Sequence, residues 1–123
     1  MIERHKATVT TTGSAGSATG NVIIALPMCE LVAVYLDFHA SAPATTDTTI
    51  TAPGGDPADV TVLTVSNSAT DAWKYPKVQD HDNTGAAITG AYSDPVIPQN
   101  LLVALAQCDA LTAALTIYVY VRT

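Results

Sequence analysis

The side chains that could support nucleophilic catalysis are few and lie far apart in the sequence. Cys29 stands between Met28 and Glu30, and Cys108 ends an apolar stretch. Neither cysteine has a recognisable motif around it, and a nucleophile needs a base within reach. We therefore expect both to be buried as small hydrophobic residues. A disulfide between them stays open as an alternative if their strands are neighbours.

Metal and acid–base chemistry have little support in the sequence. The three histidines, His5, His39 and His81, share no metal-ligand spacing. Residues 80–83, Asp-His-Asp-Asn, are dense in oxygen atoms that could hold a calcium ion, but adjacent side chains rarely all point at one ion. The same residue types favour a solvated turn. We expect no catalytic residue, no metal site and no cofactor, and we expect that the chain is not an enzyme.

The aromatic residues of the second half are better candidates for binding. Trp73, Tyr75 and Tyr92 could stack on a sugar, anchor a protein interface or pack within the fold. Lys74 and Lys77 stand beside the first two and are the only basic residues between positions 7 and 121. They place a small positive region in an acidic chain, which indicates contact with an acidic neighbour.

The composition excludes several classes of partner. The chain has 123 residues, of which 48% are apolar and 13% charged, and its formal net charge is −6. Nucleic-acid binding requires clustered cations, and anionic membranes attract them, so neither partner is expected. No apolar run approaches the ~18 residues of a transmembrane helix. The first residues lack the apolar core of a secretory signal, so none is expected.

The elements that must position these side chains are strands. Threonine occurs 18 times and glutamate only twice, and β-branched residues favour strands over helices. Short alternating or apolar runs with turn residues between them predict an all-β fold, an antiparallel β-sandwich or barrel of about eight short strands. The clearest predicted strands are residues 5–12, 21–26, 30–39, 48–51, 60–65, 101–107 and 115–121.

The pattern also predicts how some of these elements are arranged. Residues 101–107 and 115–121 are interpreted as a C-terminal hairpin. The better inward-facing set of its second strand is Leu115, Ile117, Val119 and Val121. The Pro-Gly-Gly-Asp-Pro run at 53–57 is the strongest break in the chain, and residues 72–98 are predicted to be a long irregular loop.

The whole chain is predicted to be one domain. It contains no internal repeat, and the segments on either side of the 53–57 break are too short to bury a core alone. We therefore expect a single β-domain over residues 1–123, with a flexible N-terminal arm of about residues 1–6.

Several motifs in order resemble a known family. A basic start leads into a threonine-rich strand over residues 4–12, and Lys-Tyr-Pro at 74–76 is followed by His-Asp-Asn-Thr-Gly-Ala-Ala at 81–87. Asp-Pro-Val-Ile-Pro at 94–98 then precedes two final strands, of which the last contains Thr-Ile-Tyr-Val-Tyr-Val at 116–121. This order resembles small virion structural proteins of tailed bacteriophages, and among them the capsid decoration (cement) proteins.

The resemblance implies a protein made in the host cytoplasm that binds the major capsid protein on the capsid exterior and stabilises contacts between capsomers. It also implies self-association, by analogy as a homotrimer at three-fold positions. The N-terminal arm and the 72–98 segment are the expected contact surfaces. The residues expected to contact the capsid or another partner are Arg4, Lys6, Trp73, Lys74, Tyr75, Lys77 and Tyr92.

Two other roles stay open on the sequence. A minor head–tail connector or fibre subunit would share the same composition and fold class. A carbohydrate-binding β-sandwich module would use Trp73, Tyr75 and Tyr92 as its stacking residues.

Overall fold

A computed structural model describes residues 1–53 and 59–123 and confirms an all-β fold. Residues 54–57 of the predicted break lie outside the described residues. The strands are β1 (Ile2–Val9), β2 (Ala18–Ile24), β3 (Cys29–Phe38), β4 (Asp47–Ala52), β5 (Val60–Val65), β6 (Ala72–Lys74), β7 (Val78–His81), β8 (Ala87–Ser93), β9 (Val96–Ile97), β10 (Leu101–Cys108) and β11 (Leu115–Arg122).

Two antiparallel sheets form the body of the molecule. The first has the strand order β1-β11-β3-β6, with β9 paired to the start of β3, and the second has the order β2-β10-β4-β5. Strands β7 and β8 form a separate two-stranded sheet. The two large sheets share one hydrophobic core, which gives a β-sandwich.

The core forms because alternate residues of the central strands face inward. Leu115, Ile117, Val119 and Val121 of β11 are all fully buried, which confirms the predicted inward set. Strand β10 buries Leu101, Val103 and Leu105 from the opposite sheet in the same way. Burial of each such side chain contributes about 1.5–3 kcal/mol, so this double layer is the main source of stability.

The predicted C-terminal hairpin is wrong. Strand β10 pairs with β2 and β4, whereas β11 pairs with β1 and β3, so the two strands lie in opposite sheets. The connection between them crosses the edge of the sandwich, where the Thr11 hydroxyl donates to the carbonyl of Asp109 and accepts the Leu111 N–H. A strand that buries one face shows the same alternation in a hairpin and in a sheet-to-sheet connection, so local pattern cannot separate them.

The N-terminal segment is not a flexible arm. Strand β1 pairs with β11 along its whole length, from Ile2 opposite Arg122 to Val9 opposite Leu115. Its side chains alternate between exposed and partly buried, so it forms an edge strand with a charged outer surface. Charged side chains such as Arg4 and Lys6 are expected on such an edge.

The segment from 72 to 98 is also more regular than predicted, because β6, β7, β8 and β9 all lie within it. These strands have two to seven residues and little apolar alternation, which explains why the sequence pattern missed them. Among the described residues, no helix is long and apolar enough to cross a membrane.

Candidate functional site

A row of side chains crosses the outer surface of the first sheet. Lys6 of β1 lies opposite Tyr118 of β11, and Tyr118 lies opposite Tyr35 of β3. Tyr35 in turn lies opposite Trp73 of β6. Because cross-strand partners share one face, these four side chains form a ladder over all four strands. It points away from the core, since the residues on either side of Tyr118 face inward.

The ladder belongs to a larger surface, which we call the aromatic face. Its members are Arg4, Lys6, Tyr35, Trp73, Tyr75, Tyr118 and Tyr120. Five of the seven aromatic residues of the chain are therefore gathered on one side of one sheet. Such a concentration requires a specific explanation, because isolated surface aromatics would be spread over the molecule.

Trp73 is the centre of the aromatic contacts. Its ring centroid lies 5.0 Å from that of Tyr35 and 5.4 Å from that of Tyr120, both in tilted arrangements. The Tyr75 ring lies nearly parallel to it, with centroids 6.4 Å apart and an angle of 14° between the planes. These separations are within the range in which aromatic pairs attract each other, so the rings hold one another in place. Trp73 is nevertheless 48% exposed and Tyr75 62% exposed.

Two cations lie at the other end of the aromatic face. The guanidinium carbon of Arg4 is 5.6 Å from the centroid of the Tyr118 ring, and the Lys6 ammonium nitrogen is 5.7 Å from it. Both distances fit cation–π contacts, worth about 0.5–1 kcal/mol each at exposed sites. The face therefore has a positive end on β1 and an uncharged aromatic end at β6.

The structure brings together four of the seven predicted contact residues. Arg4, Lys6, Trp73 and Tyr75 lie on the aromatic face, whereas the other three do not belong to it. Lys74 precedes Tyr75 but is directed to the other side of β6, opposite the buried Val34. Lys77 and Tyr92 line a polar groove beside the β7–β8 sheet.

Sequence reasoning missed three members of the face, namely Tyr35, Tyr118 and Tyr120. A signal for two of them was present, because choosing Ile117 and Val119 as inward residues directs Tyr118 and Tyr120 outward. Nothing in the sequence shows that Trp73 lies beside Tyr35, because this contact depends on the pairing of β3 with β6.

The polar groove contains a network of ion pairs. Asp94 accepts a hydrogen bond from the Lys77 ammonium group and lies 3.4 Å from Nη1 of Arg122. The same Arg122 nitrogen lies 3.0 Å from a carboxylate oxygen of Glu30. The Lys77 hydrogen bond, followed by the charges of Lys77 and Arg122, holds the pKa of Asp94 below its usual value. The network joins the base of the β7–β8 sheet to β3 and β11.

The Asp-His-Asp-Asn cluster forms the turn between β7 and β8. One carboxylate oxygen of Asp82 accepts hydrogen bonds from the Thr84 hydroxyl at 2.6 Å, the Thr84 N–H at 2.8 Å and the Ala86 N–H at 3.1 Å. These bonds hold the pKa of Asp82 below its usual value, the Thr84 hydroxyl having the largest effect. This oxygen is thus committed to the turn, and the described residues include no cluster of three or more potential metal ligands.

The cysteines and histidines are dispersed. Cys29 and Cys108 are buried as free thiols on strands of opposite sheets. Burial, and then the charge of Glu3, raises the pKa of Cys29, which disfavours the nucleophilic thiolate. His5 lies 3.5 Å from the Glu3 carboxylate, while the ring of His39 accepts a hydrogen bond from a neighbouring backbone N–H.

The aromatic face is therefore the candidate functional site, and its chemistry is that of a binding surface. Comparison of the chain with protein-family models, with curated proteins and with solved structures returned no match.

Proposed function

We propose that this chain is a virion structural protein, a capsid decoration (cement) protein that binds the outer surface of a tailed-bacteriophage head and stabilises contacts between capsomers. The observation that carries the proposal is the aromatic face, which gathers Trp73, Tyr75 and the cations of β1 into one exposed surface. The resemblance in motif order supplies the virion context.

The chemistry of the face favours a protein partner. Tryptophan, tyrosine and arginine are the residues most enriched among those that dominate protein–protein binding energy. Here all of them except Tyr75 lie on paired strands, and the rings contact one another, so little side-chain entropy remains to be lost on binding. A rigid surface of this kind suits an assembly that repeats one contact many times, in which linked contacts raise the overall affinity.

The proposal is tested by adding the purified protein to heads, assembled from the major capsid protein, that lack it. Quantitative mass spectrometry should find a copy number comparable to that of the major capsid protein. A number far below it would favour the head–tail connector or fibre role, and no binding at all would contradict the proposal.

The contribution of the aromatic face is tested with two matched variants. Tyr75→Ala should lower retention on heads at least about tenfold, because it removes an exposed ring that lies nearly parallel to Trp73. Ile23→Ala should leave retention unchanged, since Ile23 is similarly exposed, at 61%, but lies on β2 of the other sheet. Equal effects of both variants would remove the aromatic face from the proposal.

A second candidate function is carbohydrate binding. The nearly parallel and exposed rings of Trp73 and Tyr75 are the observation that favours it, since sugar rings stack on such surfaces. Glycan-array binding by the isolated protein that disappears in Tyr75→Ala, together with no retention on heads, would favour this function over decoration.

A further inference from the structure

The β7–β8 hairpin has no core of its own. We call residues 78–93 the arm. None of these residues is buried, and residues 81–90 are all exposed. Strands β7 and β8 contact chiefly each other rather than the strands of the sandwich. A two-stranded hairpin by itself is at best marginally stable in water, so the arm gains most if another surface covers it.

The arm is nevertheless fixed at both ends. Its tip is closed by the three hydrogen bonds that Asp82 accepts. Its base is held by the contacts of Asp94 with Lys77 and Arg122, and the buried Pro95 that follows accepts the Leu31 N–H through its carbonyl. The arm is thus a preformed projection, and docking it costs less entropy than ordering a loose loop would.

The charges of the arm and the aromatic face are complementary. The arm carries Asp82 at its tip and Asp80 on the face opposite Tyr92, where Asp80 accepts a hydrogen bond from the Ser93 hydroxyl, and it contains no lysine or arginine. The aromatic face carries Arg4 and Lys6 at its β1 end. The two surfaces are therefore opposite in sign although the chain as a whole is acidic.

The apolar parts and the dimensions also correspond. The arm exposes Tyr92 at 59% and Ile88 at 43%, which suit contact with the exposed rings of Trp73 and Tyr75. Three strand spacings separate Lys6 from Trp73, or about 14 Å, and the four residues of β7 span about 13 Å. An arm laid across the face would bring its tip near the cations when its base lies near Trp73.

We propose that the arm of one copy docks on the aromatic face of a second copy of this chain. The inference gives the aromatic face a second copy of the chain as a partner that competes with the capsid for it, and it rests on the proposed function in treating that face as a protein-docking surface. Each copy offers one arm and one face, so the contacts close either as a reciprocal dimer or as a head-to-tail ring.

The first test is the mass of the purified protein in solution by light scattering. A discrete multiple of the 12.7 kDa chain is expected. A protein that stays monomeric up to about 1 mM would overturn the inference, because the contact would then be weaker than a specific assembly requires. This result would leave binding to heads intact, because the aromatic face would still be free. Head binding is also measured on a variant that lacks residues 78–93, whose face stays uncovered, and its absence there would contradict only the proposed function.

The decisive test is complementation between two variants. One replaces residues 78–93 with a short Gly-Ser linker and so keeps the face without the arm. The other, Arg4→Glu with Lys6→Glu and Tyr75→Ala, keeps the arm with a defective face. Each should be monomeric alone, and their mixture should give a 1:1 heterodimer, since only one arm–face pair remains.

Other results of the mixing experiment contradict the inference. If the arm-less variant keeps the mass of the unmodified protein, the copies associate through another surface. If both variants are folded monomers that do not combine, the arm does not meet the face. Should the arm-less variant fail to fold, Ile88→Ala with Tyr92→Ala replaces it, and its dissociation constant should rise at least about tenfold.

Discussion

Trp73→Ala gives the sharpest test of the packing of the aromatic face. Trp73 is 48% exposed, so about half of a side chain that presents roughly 200 Å² is covered, which is about 100 Å². At about 25 cal/mol per Å², its loss costs about 2.5 kcal/mol. The alanine methyl group recovers a part of this, while the lost ring contacts with Tyr35 and Tyr120 add about 0.5–1.5 kcal/mol. We expect the free energy of unfolding to fall by about 2–3 kcal/mol.

The assay is urea unfolding followed by far-ultraviolet circular dichroism, because the variant lacks the only tryptophan of the chain. Ile23→Ala is the control: it removes an exposed side chain from β2 of the other sheet and should change the free energy of unfolding by less than about 0.5 kcal/mol. A Trp73→Ala effect as small as that of the control would refute the ring contacts described here. A double-mutant cycle with Tyr35→Ala should show a coupling of about 0.5–1.5 kcal/mol.

Three further predictions concern other parts of the molecule. The pKa of Asp94 is lowered in the folded state, so its ion pairing stabilises the fold above the unfolded pKa of about 3.9, and this stabilisation is lost as the pH falls through the folded pKa. Asp94→Asn should therefore weaken the dependence of the melting temperature on pH in the acid range. An unchanged dependence would contradict the role of the Lys77 contact. Gly20→Ala should lower the free energy of unfolding by about 1–3 kcal/mol in urea titrations, because the added Cβ would lie 2.3 Å from the carbonyl oxygen of Thr10. An unchanged free energy of unfolding would show that β2 can move away from this carbonyl. Cys29 should react with a thiol reagent at mildly alkaline pH only after unfolding, since the thiol is buried and burial raises its pKa. Rapid labelling of the native protein would show that the surroundings of Cys29 open to solvent.

Much of the strand pattern is predictable because it depends on neighbouring residues. The structure gives β5 the predicted bounds, and β3, β10 and β11 differ from them by one residue at each altered end. Period-two burial requires only the local alternation of apolar and other residues, which the sequence displays directly. Strands β1 and β2 begin three residues earlier than predicted, and the four strands that the sequence missed, β6 to β9, are those in which alternation is weak or too short.

The pairing of the strands cannot be predicted from the local alternation of residues. Residues 101–107 and 115–121 look like partners because they are close in sequence and both alternate, yet they belong to opposite sheets. Which strand pairs with which is decided by how all the inward faces fill one core, and this depends on residues far apart in the chain.

The sequence by itself determined that the chain is all-β, which residues of β11 enter the core, and that the molecule carries few charges on an acidic background. Only the tertiary structure decided that Lys6, Tyr118, Tyr35 and Trp73 form one ladder. The side-chain period of a strand specifies the face on which a residue lies, but it contains no information about the neighbouring strand or its register. Those depend on cooperative packing of the whole core, and the aromatic face exists only because that packing brings four separate segments together.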